Sequence, residues 1–276
     1  MPNIVYAGRA PESTWRRVAA GFWAAPRDPT IYGLLDYDAR ALLDRLAALR
    51  AAGHRITVTH VVARAMAEVL ARHPECNVVL RRRRAWQRAT VDVFLQVAVP
   101  SESGELGKAE LTGVRIERAD QLDLIAFGAA VEAEVARARE QRNLALDRSR
   151  KQMARIPRSL LGPILRLSQW LTVGLNLDLS RFGVARDPFG AVAITSIGMW
   201  DIETAFAPLL PVSGPPLQLT VGAIKQRAVV DEDGQVVARP ILRIGGSFDH
   251  RLLDGYQLAV LARELEQLLV RDVDKL

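Results

Sequence analysis

Cysteine is nearly absent. The 276-residue chain holds one, Cys76, so no intrachain disulfide can form, and a reducing cytoplasm is the expected location. Cys76 stands in RHPECNVVL beside an apolar run, the setting of a small core residue rather than of a reactive thiol. Long apolar runs are missing as well. The opening stretch MPNIVYAGRAPESTW lacks the apolar centre of a secretory signal, and no uncharged apolar stretch of about 18 residues is present to span a bilayer. The longest candidate, 160–179, contains Arg166 and Asp178, each costing roughly 2.5–3.5 kcal/mol at a bilayer centre. The four histidines, His54, His60, His73 and His250, show no metal-ligand spacing, so no metal is expected. Neither a P-loop nor a dinucleotide glycine fingerprint occurs, and there is no internal repeat or low-complexity linker.

About half of the residues are apolar (49%) and a quarter are charged (25%), enough apolar content for a real core. The formal charge is +6, carried mostly by arginine. It favours anionic partners: a phosphorylated cofactor, an acidic protein, a membrane surface or nucleic acid. The run RRRR at 81–84, followed by Trp86, sits in a strand-turn-strand pattern. Without a nucleic-acid-binding fold around it, that run is an exposed turn and no nucleic-acid partner is expected.

Periodicity predicts helices at about 12–25, from Asp38 to Gly53, from 57 to a stop at Pro74, across 119–140 with a continuation toward Pro157, and from Asp254 to Val270, and SESGELG at 101–107 reads as a turn. In the helix before Pro74, Val58, Val61, Val62, Ala65 and Val69 form the apolar face; in the last helix the stripe is Leu258, Leu261, Leu265 and Leu268. Short runs rich in β-branched residues predict strands at TIYGLLDYD, NVVL, 83–87, VDVFLQVAV, AELTGVRI, AVAITSIGM, PLQLTVGAI, AVVDEDGQVV and PILRIGGSF. In DEDGQ, Gly234 takes the hairpin position that needs positive φ. Helices and strands interleave throughout, which makes one α+β domain over 1–276 the economical reading.

The chemistry gathers near the end, in GGSFDHRLLDGYQ. His250 closes a strand, and Asp254 stands where a helix N-cap belongs, with Gln257 completing a capping-box pattern. SFDHRLLDG resembles the signature of the acyltransferase component of 2-oxoacid dehydrogenase complexes, the family related to chloramphenicol acetyltransferase, where a second His replaces Asp249. The stretch PLQLTVGAIKQRAVVDEDGQVVARPILRIGGSFDHRLLDG follows the family's order of strand, hairpin, strand, signature and helix. AVAITSIGMWDIETAFAPLL resembles its strand with a hydroxyl residue and glycine turn. AMAEVLARHPECNVVL resembles its helix ending in a Pro-x-x-Asn turn, and WRRVAAGF its N-terminal helix with paired basic residues.

The resemblance implies a chloramphenicol-acetyltransferase-like two-layer domain with a mixed β-sheet flanked by helices. It implies an enzyme moving an acyl group between coenzyme A, a substrate here and not a bound prosthetic group, and a thiol acceptor of dihydrolipoamide type or another carrier such as phosphopantetheine. His250 would be the general base, one ring nitrogen facing the thiol and the other held by the residue's own carbonyl. Thr195 best matches the oxyanion donor, with Ser196 its neighbour; in a strand the two point to opposite faces, so only one can serve. Asp254 would brace the loop through an Arg of the N-terminal helix, Arg16 or the adjacent Arg17, and Asp249 and Arg251 would brace it too. The resemblance further implies a homotrimer whose active site lies between subunits, with larger cages in some members. Its alternative is a non-catalytic trimeric scaffold or cage-forming protein of the same fold, or one associated with a membrane surface.

Three departures stand out. No lipoyl domain, subunit-binding domain or Ala/Pro-rich linker accompanies the catalytic segment, so a free-standing enzyme is expected. The family's Pro-Arg-Gly-Leu-type turn after VDVFLQVAVPSESGELG is missing. The stretch at about 148–187 is an insert that mixes Arg and Lys with Leu, Ile and Trp170; it could pack between subunits, cover the mouth of the intersubunit site, or lie on an anionic membrane, and packing is the expectation.

Overall fold

A computed structural model describes residues 28–99, 110–141, 157–182, 187–209 and 215–276. The predicted helix at 12–25, with Arg16 and Arg17, lies outside the described residues, as do the turn at 101–107 and the continuation of the long helix across 142–156.

The first half alternates strand β1 (Thr30–Asp38), helices α1 (Arg40–Ala51) and α2 (Val58–Arg72), and strands β2 (Val78–Arg81), β3 (Arg84–Gln87), β4 (Val93–Val99) and β5 (Glu110–Ile116). Helices α3 (Leu124–Gln141) and α4 (Arg158–Gln169) follow, then strands β6 (Val192–Ser196), β7 (Leu217–Val230) and β8 (Val236–Asp249), and helix α5 (Gly255–Glu266). Six strands form one sheet in the order β1-β8-β7-β6-β4-β5. The β4/β6 and β6/β7 pairs are parallel and the others antiparallel, so the sheet is mixed, as the α+β expectation requires. The pair β2–β3 is a separate hairpin with Arg82 and Arg83 in the left-handed region at its turn, which bears out the strand-turn-strand reading of the arginine run.

Side chains alternate across each strand. Val93 and Leu95, Val192 and Ile194, Leu217 and Leu219, and Leu242 and Ile244 turn to one face and meet α1, α2, α3 and α5 in a single core. Helix α2 is buried nearly all round: Ala63, Arg64, Met66 and Ala67 join the expected apolar face. A one-sided stripe was the expectation; the helix lies between the sheet and two other helices, so small residues fill what would have been its solvent side. Arg64 is accommodated there by Glu68 (Nη2 to Oε2, 3.0 Å) and by the Leu122 carbonyl. Cys76 is buried in the same core, and loss of solvation pushes its thiol up to about 11, in keeping with a core residue.

The strands expected separately at 216–248 merge into the two long arms of one hairpin, β7 and β8, turning at Gly234 with φ 77°. Beyond the sheet the arms form a ribbon that is open to water, so the charges of Lys225 and Arg227 do not interrupt the strand. A bulge between Val221 and Ile224 shifts the β7–β8 register and marks where the chain from Gly198 onward crosses the sheet. This crossing lies directly on backbone: a Cβ at Gly222 would stand 2.0 Å from the Glu203 carbonyl oxygen, and one at Gly245 would stand 2.4 Å from that of Ala205. Only glycine permits such an approach.

Within the insert, α4 runs on through a wider π-type turn, Trp170–Gly174. It meets the β2–β3 hairpin, where Arg81 Nε donates to the Gly174 carbonyl (3.2 Å) and Arg81 lies over the Trp86 ring. Leu160, Ile164, Leu167 and Trp170 remain exposed on the single chain. No helix among the described residues is long and apolar enough to cross a membrane.

Candidate active site

His250 lies at a corner pinned on both sides. Its N–H donates to the Pro29 carbonyl (3.0 Å), Asp249 N–H donates to that of Pro216 (2.9 Å), and the Leu252 and Leu253 N–H groups both return to the Asp249 carbonyl. Asp249 is buried and receives Arg251 in a two-point grip, Nε to Oδ1 at 2.9 Å and Nη2 to Oδ2 at 2.6 Å. The Arg251 N–H also donates to Oδ1 at 3.0 Å. Asp249 and Arg251 therefore brace the loop, as anticipated.

Among the described residues the imidazole is held by one bond, Nδ1 to the Leu253 carbonyl oxygen at 3.0 Å. This corrects the expectation that the residue's own carbonyl would hold it: the turn brings the carbonyl three residues ahead to that position. Because a carbonyl can only accept, the proton is on Nδ1 and the Nε2 lone pair is left free. The residue is exposed in the single chain.

Asp254 is the N-cap of α5. Its carboxylate accepts from the Tyr256 N–H (2.9 Å) and the Gln257 N–H (3.1 Å), and the Gln257 side-chain oxygen accepts from the Asp254 N–H (2.9 Å). The capping-box pattern read from sequence is thus present, while the suggested partner Arg16 lies outside the described residues. Two substitutions separate cap from charge. Asp254→Ala removes the cap and is expected to lower stability by about 1 kcal/mol. Asp254→Asn caps equally well, so thermal melts should leave it unchanged; a loss in the Asn variant would instead require a cationic partner.

Thr195 and Ser196 end β6, in register with Thr220 and Val221 of β7. Both line one pocket of about 540 Å³, together with residues of the α2 start, the β4 end and the Gly198–Asp201 turn. Strict alternation allowed only one of them to face it. The strand ends at Ser196, and Ile197 bends away with ψ −6°, so the alternation does not hold there. One described ionic side chain lines the pocket, Asp201, and Lys225 pairs with it. The sequence reading missed His60, which also lines this wall. Its position in the first turn of α2, after the Thr57 N-cap, was legible; its proximity to Thr195 was not.

His250 and Thr195 do not meet within one chain. Thr195 is level with Gly245 across β7, and His250 lies five residues farther along, about 17 Å at the usual rise of a strand. His250 does not line the Thr195 pocket.

A mixed six-stranded sheet whose second-last and last elements meet at a histidine corner defines the two-layer acyltransferase fold. The chain belongs to the 2-oxoacid dehydrogenases acyltransferase (catalytic domain) family, whose profile matches residues 14–151 and 189–276. Nearly all of the insert falls in the gap between those two matched stretches. The dihydrolipoyllysine-residue succinyltransferase component of the 2-oxoglutarate dehydrogenase complex of Cupriavidus necator is 36% identical over 107 residues, 36% of this chain and 26% of that protein. The chain thus matches about a quarter of the length of that relative. Among solved structures, the cubic core of the pyruvate dehydrogenase multienzyme complex has a TM-score of 0.62 at 18% identity, with 98% of this chain and 96% of that one covered. Chloramphenicol acetyltransferase has a TM-score of 0.51 at 14% identity, with 88% and 89% covered. At these identities the two structures establish the fold.

Proposed function

We propose that the protein transfers acyl groups between coenzyme A and a carrier thiol of dihydrolipoyl type, with His250 as general base in a site completed by a neighbouring subunit. The observation that carries this reading is the Nδ1–H to Leu253 bond, which fixes the tautomer a base needs and leaves Nε2 free. A thiol proton passes to Nε2, the thiolate attacks the thioester carbonyl, and the tetrahedral intermediate collapses with loss of the other thiolate, which recovers the proton. Thr195 or Ser196 donates its hydroxyl to the oxyanion; losing a well-placed donor of this kind costs about 2.7–4 kcal/mol.

Two features favour an intersubunit site. Base and hydroxyl are too far apart to act together in one chain. Large apolar side chains, among them Tyr32, Leu34, Trp200, Ile202 and Phe206, are exposed around β1 and the chain that crosses the sheet, and a partner subunit would cover them. Closing the site between subunits also excludes water, which would hydrolyse the thioester. The relative in C. necator is named as a component of a dehydrogenase complex and one structural neighbour as a cubic core; by analogy the trimer is the building unit, and a cage is its larger form. The net charge of +6 suits the phosphates of coenzyme A.

The test is acyl transfer from a panel of acyl-CoAs to dihydrolipoamide, paired with mass measurement by light scattering. Transfer by a species of three protomers or a multiple of three is expected. A monomer, or a trimer that transfers none of the acyl groups, overturns the reading.

A further inference from the structure

Resting on that reading, we infer that the pocket beside Thr195 receives an uncharged acyl group larger than acetyl, and that His60 is a specificity-determining residue which donates a hydrogen bond to an oxygen on the acyl chain.

The His60 ring is placed with one nitrogen sealed and the other free. Nδ1 is buried without a hydrogen-bond partner, beside Gly128 of α3, where an added Cβ would stand 3.8 Å from it. The ring packs edge-on to Phe127, with centroids 6.3 Å apart. A proton on Nδ1 would be a buried donor with nothing to receive it, so the neutral ring carries its proton on Nε2. Among the described residues Nε2 makes no hydrogen bond, and His60 lines the pocket. Protonation of both nitrogens is opposed twice. Burial lowers the pKa of the ring from its ordinary value, with only Glu132 acting in the other direction. The first turn of α2 adds the positive end of a helix. His60 is therefore a neutral donor at neutral pH.

The rest of the pocket sets the class of acyl group. At about 540 Å³ it lies within the range of sites that enclose whole small molecules, and an acetyl group would leave most of it unfilled. Leu95, Val131, Met199 and Val221 supply apolar wall. A chain ending in a carboxylate meets no free cation among the described lining residues: Asp201 is itself acidic, and Lys225 is engaged with it. An unpaired carboxylate in such a place is disfavoured. The preference expected here therefore departs from a succinyl group, despite the name of the C. necator relative. A 3-hydroxyacyl or 3-oxoacyl chain matches both the apolar wall and the lone donor.

The experiment compares kcat/KM of the full chain for acetyl-, butyryl-, 3-hydroxybutyryl- and succinyl-CoA with dihydrolipoamide as acceptor. The 3-hydroxybutyryl group should exceed butyryl by about 3- to 10-fold, the worth of one hydrogen bond, and exceed succinyl by more than about 10-fold. His60→Leu should bring the ratio of 3-hydroxybutyryl to butyryl kcat/KM to about one, whatever the absolute rates, and His60→Gln, which keeps a donor, should retain part of the preference. In parallel, nitrogen NMR of the His60 ring is followed while a non-reactive S-(3-hydroxybutyl) thioether of coenzyme A is added; a neutral Nε2–H ring that shifts on binding is expected. Succinyl transfer as fast as 3-hydroxybutyryl, or a hydroxyl preference that persists in His60→Leu, overturns the inference and leaves the transfer reading intact. If no acyl group is transferred, the transfer reading falls, and the NMR titration alone then decides: a shifted ring upholds the pocket, and an unmoved ring overturns it.

Discussion

Replacing His250 by alanine is expected to slow acyl transfer by about 10²–10⁴-fold, the usual worth of a positioned general base, with little change in the stability of the protomer, because the ring lies outside its core and the bond that alanine removes is to the Leu253 carbonyl. Thr195→Ala should slow transfer by about 10²-fold or more if its hydroxyl faces the oxyanion, and Ser196→Ala is the control that decides between the two. The informative experiment mixes the defects. In a trimer whose sites each draw the base from one subunit and the hydroxyl from the next, co-expressed His250→Ala and Thr195→Ala chains rebuild some intact sites. Random assembly places an intact base opposite an intact hydroxyl at about a quarter of the sites, so roughly that fraction of wild-type activity should return. If base and hydroxyl acted within one chain, every site would carry one defect and nothing would return. No recovery in well-formed mixed trimers would sink the intersubunit arrangement, whatever the single substitutions do.

How far the sequence reveals this site depends on how local each feature is. The Asp254–Gln257 capping box spans four residues, and the Asp249–Arg251 grip spans three, so both could be read from SFDHRLLDGYQ alone. The hairpin around Gly234 and the strand ending in Thr195 and Ser196 were legible for the same reason. The carbonyl that fixes the His250 tautomer belongs to Leu253 because of how the turn closes, and sequence spacing does not distinguish it from the residue's own. The pocket was out of reach altogether. Its wall joins His60, Leu95, Val131, Thr195 and Val221, and nothing in the pattern of any one element places them side by side. Helix α2 misleads in the opposite way: its stripe of valines predicts one buried face, while Ala63, Met66 and Ala67 are small or flexible enough for the opposite face to be buried as well.

A matched pair of glycine substitutions tests the backbone crossing that shapes the pocket's far wall. At Gly222 an added methyl group would meet the Glu203 carbonyl oxygen at 2.0 Å and the Arg243 carbonyl oxygen at 2.9 Å. Both are backbone atoms, so no rotamer change relieves the clash and the crossing segment must lift from the sheet. Lifting it breaks the bond from the Ala223 N–H to the Ile202 carbonyl (2.9 Å) and pulls on the Lys225–Asp201 and Arg227–Glu203 ion pairs. Gly222→Ala is therefore expected to cost about 1–3 kcal/mol or more, a fall of several degrees in Tm for a chain of this size. Acyl transfer should fall even well below that Tm, because Met199, Trp200 and Asp201 move with the crossing. Gly255, in the first turn of α5, has nothing within 4 Å of an added Cβ and no positive φ. There the same methyl group restricts the unfolded chain and favours the helix, so Gly255→Ala should raise stability by about 0.4–1 kcal/mol. Melts are compared at equal protomer concentration, because assembly contributes to the apparent stability. Equal Tm values for the two variants would mean that the chain from Gly198 to Phe206 does not rest on the sheet at Gly222, and the pocket wall built on that crossing would have to be redrawn.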